Sequence, residues 1–90
     1  MNSGGSVECR VTVLDPAGHP VRDAAAAVVK AARPLPEIGF RASDQGEIVF
    51  TLPSGPAVLA IFGPGDIRQE IHIEVPSEGT LHKTVVLPRR

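Results

Sequence analysis

Aromatic residues are nearly absent: the 90 residues include three Phe, no Trp and no Tyr. With so few flat rings the chain cannot build a base-stacking platform for single-stranded nucleic acid, nor an aromatic shelf for pyranose rings. Cysteine is reduced to Cys9 alone, which excludes an intrachain disulfide and any zinc site built mainly on cysteines. Neither sign of charge prevails. Nine Lys and Arg against ten Asp and Glu leave a net charge of −1, which gives no electrostatic footprint for nucleic acid or an anionic membrane. No apolar run approaches the roughly 18 residues of a membrane-spanning helix. The first six residues, Met-Asn-Ser-Gly-Gly-Ser, lack a basic segment followed by an apolar one, so no signal peptide is read there. Asn2 is the only Asn and forms no glycosylation sequon. The expectation is a cytoplasmic chain as given, or a domain carried in a larger protein, with residues 1–6 as a flexible head.

What the chain has is alternation. Hydrophobic residues make up 42%, enough for a folded domain and too many for a disordered one. A chain of this length forms one domain, residues 7–88, burying about 60–65% of its unfolded surface. In residues 7–14, Val7, Cys9, Val11 and Val13 point one way and Glu8, Arg10 and Thr12 the other; this strand ends at Leu14 or Asp15. Asp15-Pro16-Ala17-Gly18 is a turn with Pro second and Gly fourth. The alanine run 24–27 carries a local conflict, since alanine favours helix and Asp23 could cap one running from 23 to 33. Val28 and Val29, with the turn upstream, favour a strand over 25–30. Pro34 and Pro36 make 31–36 a loop.

Residues 37–43 form a third strand with Phe40 and Ala42 inward. Ser43-Asp44-Gln45-Gly46 is a turn suited to Asp and Gly, and 47–52 a strand with Ile48, Phe50 and Leu52 on one face. After Pro53-Ser54-Gly55-Pro56, the strand 57–62 is apolar on both faces. Residues 67–75 alternate again, with Ile71, Ile73 and Val75 inward and Arg68, Glu70, His72 and Glu74 outward. The last strand, 81–87, follows the turn at 76–79. Seven short strands at this spacing define an all-β, antiparallel Greek-key β-sandwich of transthyretin-like or immunoglobulin-like type.

Three segments in order resemble carboxypeptidase regulatory-like domains. "VTVLDPAGHPVRDA" (11–24) is similar to that family's opening strand, Asp-x-x-Gly-x-Pro-Val turn and Ala-leading strand. "SDQGEIVFTL" (43–52) looks like its Ser/Thr-Asp-x-x-Gly-x-Phe-x-Leu hairpin, one residue shorter in the turn. "GPAVLAIFG" (55–63) is similar to its next strand, with Ala57 where an aromatic usually stands. The resemblance spans about 7–87 and implies a prealbumin-like sandwich that serves as an accessory module. Its motifs concern packing and turns and imply no chemistry. The fold class also includes hydroxyisourate hydrolase, whose C-terminal Tyr-Arg-Gly-Ser signature is missing from Leu87-Pro88-Arg89-Arg90. The Lys–Asn crosslink of collagen-adhesin sandwiches is excluded too, because the first strand has no Lys and the last no Asn.

Candidate chemistry is sparse. His72 and His82, brought together by a hairpin of 67–75 with 81–87, are the weak metal-site candidates; two exposed histidines on a polar face is the plainer reading. Cys9 reads as a small buried hydrophobe, because a nucleophile needs an adjacent base and His19 lies beyond the turn. Asp15, Asp23, Asp44 and Asp66 flank turns without the dense spacing of a calcium loop, so they read as turn residues. Val58, Ala60 and Phe62 form a second apolar face, which is either an interface or a surface covered by residues 31–38. No enzyme and no cofactor are expected. The expected function is protein–protein interaction or structural spacing, with a carbohydrate-binding accessory domain or a secretion-system cargo adaptor as alternatives. Partners are another protein or a larger parent protein, without nucleic acid or membrane, and a free edge strand offers a route to a homodimer. If Phe50 anchors the core as this register requires, Phe50→Ala should cost ~3–5 kcal/mol in chemical denaturation; a near-neutral substitution would refute the register.

Overall fold

The computed structural model describes residues 6–32 and 39–88. Each alternating segment becomes a strand: β1 Ser6–Leu14, β2 Ala25–Lys30, β3 Gly39–Arg41, β4 Glu47–Pro53, β5 Gly55–Gly63, β6 Ile67–Val75 and β7 Thr80–Val86. No helix occurs among the described residues. The alanine run is therefore strand. Its backbone is hydrogen-bonded on both sides, to β3 and to β5. That tertiary pairing outweighs a helix preference worth at most a few tenths of a kcal/mol per residue. The strand expected at 37–43 is shorter, Gly39–Arg41, and residues 33–38 lie outside the described part of the chain.

The strands form two sheets, A in the order β4-β1-β7 and B in the order β3-β2-β5-β6. Pairing is antiparallel except between β1 and β7, which run parallel from Glu8 opposite Thr80 to Leu14 opposite Val86. The hairpin expected between 67–75 and 81–87 is thus corrected: β6 edges sheet B, β7 edges sheet A, and residues 76–79 cross between the sheets. The physical reason lies in β1. Paired with β4 alone it would be an edge strand carrying a wholly apolar inner row, and β7 closes its other side.

The core is what alternation prescribes. Val7, Cys9, Val11 and Val13 of β1 are buried with Ile48, Phe50 and Leu52 of β4. Against them pack Ala26 of β2, Ala57, Leu59 and Ile61 of β5, and Ile73 and Val75 of β6. Each fully buried Val, Leu or Ile stabilises by roughly 1.5–3 kcal/mol relative to exposure. Two of the scarce aromatics join the sheets along one side of the sandwich. Phe40 of β3 stacks on Phe50 of β4 with ring centroids 5.1 Å apart and planes at 27°.

The two turns that carry the family resemblance lie against each other. The Ser43 hydroxyl accepts hydrogen bonds from the N–H groups of Gln45 (3.2 Å) and Glu47 (3.3 Å), so Ser43 caps the turn assigned above to Asp44. Gly46 is buried at φ 74°, and its carbonyl accepts from the Val13 N–H at 2.8 Å. A Cβ at Gly46 would lie 2.7 Å from the Val13 carbonyl oxygen and 3.0 Å from both Pro20 and Val21. Gly18 has a similar φ of 90° with nothing within 4 Å. Gly18→Ala should therefore cost roughly 1–2 kcal/mol, the left-handed backbone penalty alone. Gly46→Ala should cost on the order of 3 kcal/mol or more, because penalty and collision add. Urea midpoints of the two variants decide it, and equal costs would contradict the packing of these turns.

Candidate functional site

The outer faces of the two sheets differ. On sheet A the outward side chains are mostly polar: Glu8, Arg10 and Thr12 of β1 stand beside Glu47, Val49 and Thr51 of β4, and the exposed Val49 and Val86 stand apart from each other, opposite Arg10 and Leu14. Arg10 bonds Glu8 at 2.8 Å and Glu47 at 3.2 Å, tying β1 to β4 across a partly exposed surface. Such exposed pairs contribute little to stability.

On sheet B, β5 is apolar on both faces and only one can enter the core. Ala57, Leu59 and Ile61 do so, which turns Val58, Ala60 and Phe62 outward. The registers set Ala25 beside Phe62 and Ala27 beside Ala60, so the apolar stripe spans β2 and β5. Phe62 is 38% exposed and Val58 half-buried, whereas Ala60 is buried at 1%. Ala60 thus departs from its expected place on the open stripe: its short side chain lies between Val58, Phe62, Ala27 and Glu70, which shield it. The stripe gains Val29, 51% exposed, which sits at a β-bulge between Val28 and Lys30. A bulge shifts side-chain facing locally, so strict alternation from the sequence could not place it. Residues 33–38, most of the expected cover, lie outside the described part of the chain.

Charge flanks the stripe on both sides. Arg41 of β3 and Lys30 of β2 border one side, and Arg68, Glu70, His72 and Glu74 of β6 the other. The Arg68 guanidinium lies 6.0 Å from the centroid of the Phe62 ring and bonds Glu70 at 2.9 Å. At the Val58 end is a cavity of about 580 Å³, lined by Lys30, Ala31, Pro56, Val58, His72 and Glu74 among others.

The remaining candidates do not assemble. His72 on β6 stands beside Val58 on the outer face of sheet B, and His82 on β7 stands beside Arg10 on sheet A. The expected proximity of the two histidines fails because their strands belong to different sheets. Among the described residues no group of three or more His, Cys, Asp or Glu is placed to hold a metal ion. Cys9 is fully buried, its Sγ donating weakly to the Val7 carbonyl at 3.5 Å. Burial pushes its thiol pKa up, away from the thiolate a nucleophile needs. Among the described residues no polar or charged side chain is buried.

The described residues form a two-sheet, all-β module of seven strands, which is of the immunoglobulin-like β-sandwich class. No family model matches the sequence, and neither does any curated protein. Among solved structures it is similar to the D312A variant of BcpA, the major pilin subunit of Bacillus cereus. There the TM-score is 0.67 and the identity 14%, over 92% of this chain and 30% of the pilin. It is also similar to the C-terminal domain of the Caf1A usher, with a TM-score of 0.55 and 9% identity, over 90% of this chain and 96% of that domain. At these identities the likeness is one of fold. The chain spans under a third of the pilin's length.

Asp15 illustrates the role of the turn carboxylates. Its Oδ1 accepts from the N–H groups of His19 (2.8 Å) and Ala17 (3.0 Å). The hydrogen bond from His19 is the main cause that lowers its pKa, the Ala17 bond adds to it, and partial desolvation opposes. A carboxylate with a depressed folded-state pKa stabilises the fold above its ordinary value of about 3.8. That contribution is lost as pH falls through the lower folded value. Asp15→Asn should therefore lower stability at neutral pH and flatten the acid side of the profile, leaving its most acidic part little changed, as read from urea midpoints at stepped pH. An unchanged acid slope would show that Asp15 is not held as described.

Proposed function

We propose that this chain is a non-catalytic β-sandwich module that works through protein–protein contact, as an adaptor or spacer within a larger assembly. The observation that carries the reading is the apolar stripe of Phe62, Val58 and Val29 on the outer face of sheet B, bordered by charge on both sides. Apolar surface rimmed by polar groups marks a contact site in soluble domains. The solved neighbours support the same reading. One is a pilin subunit, and the other is an usher domain whose conserved surface hydrophobic clusters are important for F1 antigen assembly. Phe62 is the only exposed aromatic among the described residues, which leaves a sugar ring a single platform and disfavours carbohydrate binding.

A photo-crosslinking residue placed at Val58 or Phe62 in the native host tests the proposal, with Thr12 and Thr51 on sheet A as controls. The expected outcome is a discrete adduct with a different protein from the sheet B positions only. In a purified pair with that protein, Phe62→Ser should weaken binding about tenfold or more, as for a buried aromatic anchor. Equal labelling of both faces, adducts of the chain with itself alone, or no adduct would each reject the stripe as the contact surface.

A further inference from the structure

A two-sheet sandwich has four sheet edges, and three of those here are guarded. β3 is only three residues long. β4 ends in Pro53, which donates no backbone hydrogen bond, and β3 lies alongside it. β7 carries Lys83 in its inward-facing row, opposite Val11, where the ammonium reaches out to solvent. Short strands, prolines and inward-pointing lysines are the devices that keep edges from pairing with other chains.

β6 has none of them. It runs nine residues, roughly 30 Å, with no proline, and its register with β5 is unbroken from Ile67 to Val75. Its inward row is Ile67, Gln69, Ile71, Ile73 and Val75, without a charge, and Ile71 is only half-buried. Among the described residues no strand pairs with its outer edge.

The outward row of β6, Arg68, Glu70, His72 and Glu74, is complementary to itself read backwards. We propose that β6 pairs antiparallel with β6 of a second copy, about a two-fold axis at Ile71. The register sets Arg68 opposite Glu74 of the second copy and Glu70 opposite His72 of the second copy, each twice by symmetry. On the inward side Ile71 meets itself, Gln69 meets Ile73 and Ile67 meets Val75. The axis preserves the two faces, so only shifts by an even number of residues are alternatives. A shift by two in either direction sets Glu70 opposite Glu74 of the second copy or opposite itself, and the like charges repel. The self-complementary charges select a second copy rather than a foreign strand. The product is one continuous eight-stranded sheet with both apolar stripes on the same face. The outer face of sheet B stays open, so this pairing stands apart from the function proposed above.

Sedimentation of the purified chain from about 1 µM to about 1 mM tests the proposal, a range that spans small interfaces. The expected result is a reversible monomer–dimer equilibrium. Arg68→Glu alone, and Glu74→Arg alone, should each weaken the dimer roughly tenfold by setting like charges together at two symmetric places. The double variant Arg68→Glu/Glu74→Arg should restore it. Both side chains are exposed, and unchanged urea midpoints would show that folding is not the cause. In a Cys9→Ala background, Ile71→Cys should form a disulfide-linked dimer on mild oxidation, because this residue alone meets itself, whereas Thr84→Cys should not. A monomer at every concentration, a dimer indifferent to Arg68→Glu, or a double variant that fails to recover would overturn the proposal.

Discussion

The fold depends on the pairing of β1 on both sides. Its inner row, Val7, Cys9, Val11 and Val13, is almost wholly shielded from water, and every residue of that row contributes to the core. Such a row is well served in a central strand, where neighbours on both edges supply hydrogen bonds and apolar partners. β4 provides one side. The other comes from β7, reached through a crossing from sheet B and laid down parallel. That pairing places β6 and β7 in separate sheets.

The shortage of aromatics shapes the packing. Valine, isoleucine, leucine and alanine fill nearly all of the core, and the small side chains of β2 and β5 keep their rows close. Only Phe40 and Phe50 span the gap between sheets with rings, at the side where β3 and β4 meet. The third ring, Phe62, remains at the surface under Arg68. The core uses little polar chemistry, and the described surface of sheet B carries both the apolar stripe and the long edge strand on which the two proposals rest.

Much of this was legible in the residues. Alternation is local, so the strands and their inner faces could be read directly from Val7 to Val13, Ile48 to Leu52 and Ile71 to Val75. The turns announced themselves through Asp, Pro and Gly. Ser43 rather than Asp44 capping the second turn was not legible, since both residues have the chemistry and only backbone direction selects one. The apolar stripe could be read in outline from Val58 to Phe62. Its true extent could not, because the shielding of Ala60 and the exposure of Val29 depend on neighbours from other strands and on a bulge.

By itself, then, the sequence determined seven alternating segments, their core-facing rows and the positions of the turns, because a period of two is a property of consecutive residues. Tertiary structure decided which segments became neighbours. A link as short as Pro76-Ser77-Glu78-Gly79 serves equally as a hairpin turn and as a crossing between sheets, and nothing within it chooses. The choice was made by β1, distant in sequence, whose free edge captured β7. That single long-range pairing separated His72 from His82 and left β6, among the described residues, at the edge of sheet B without a partner on its outer side.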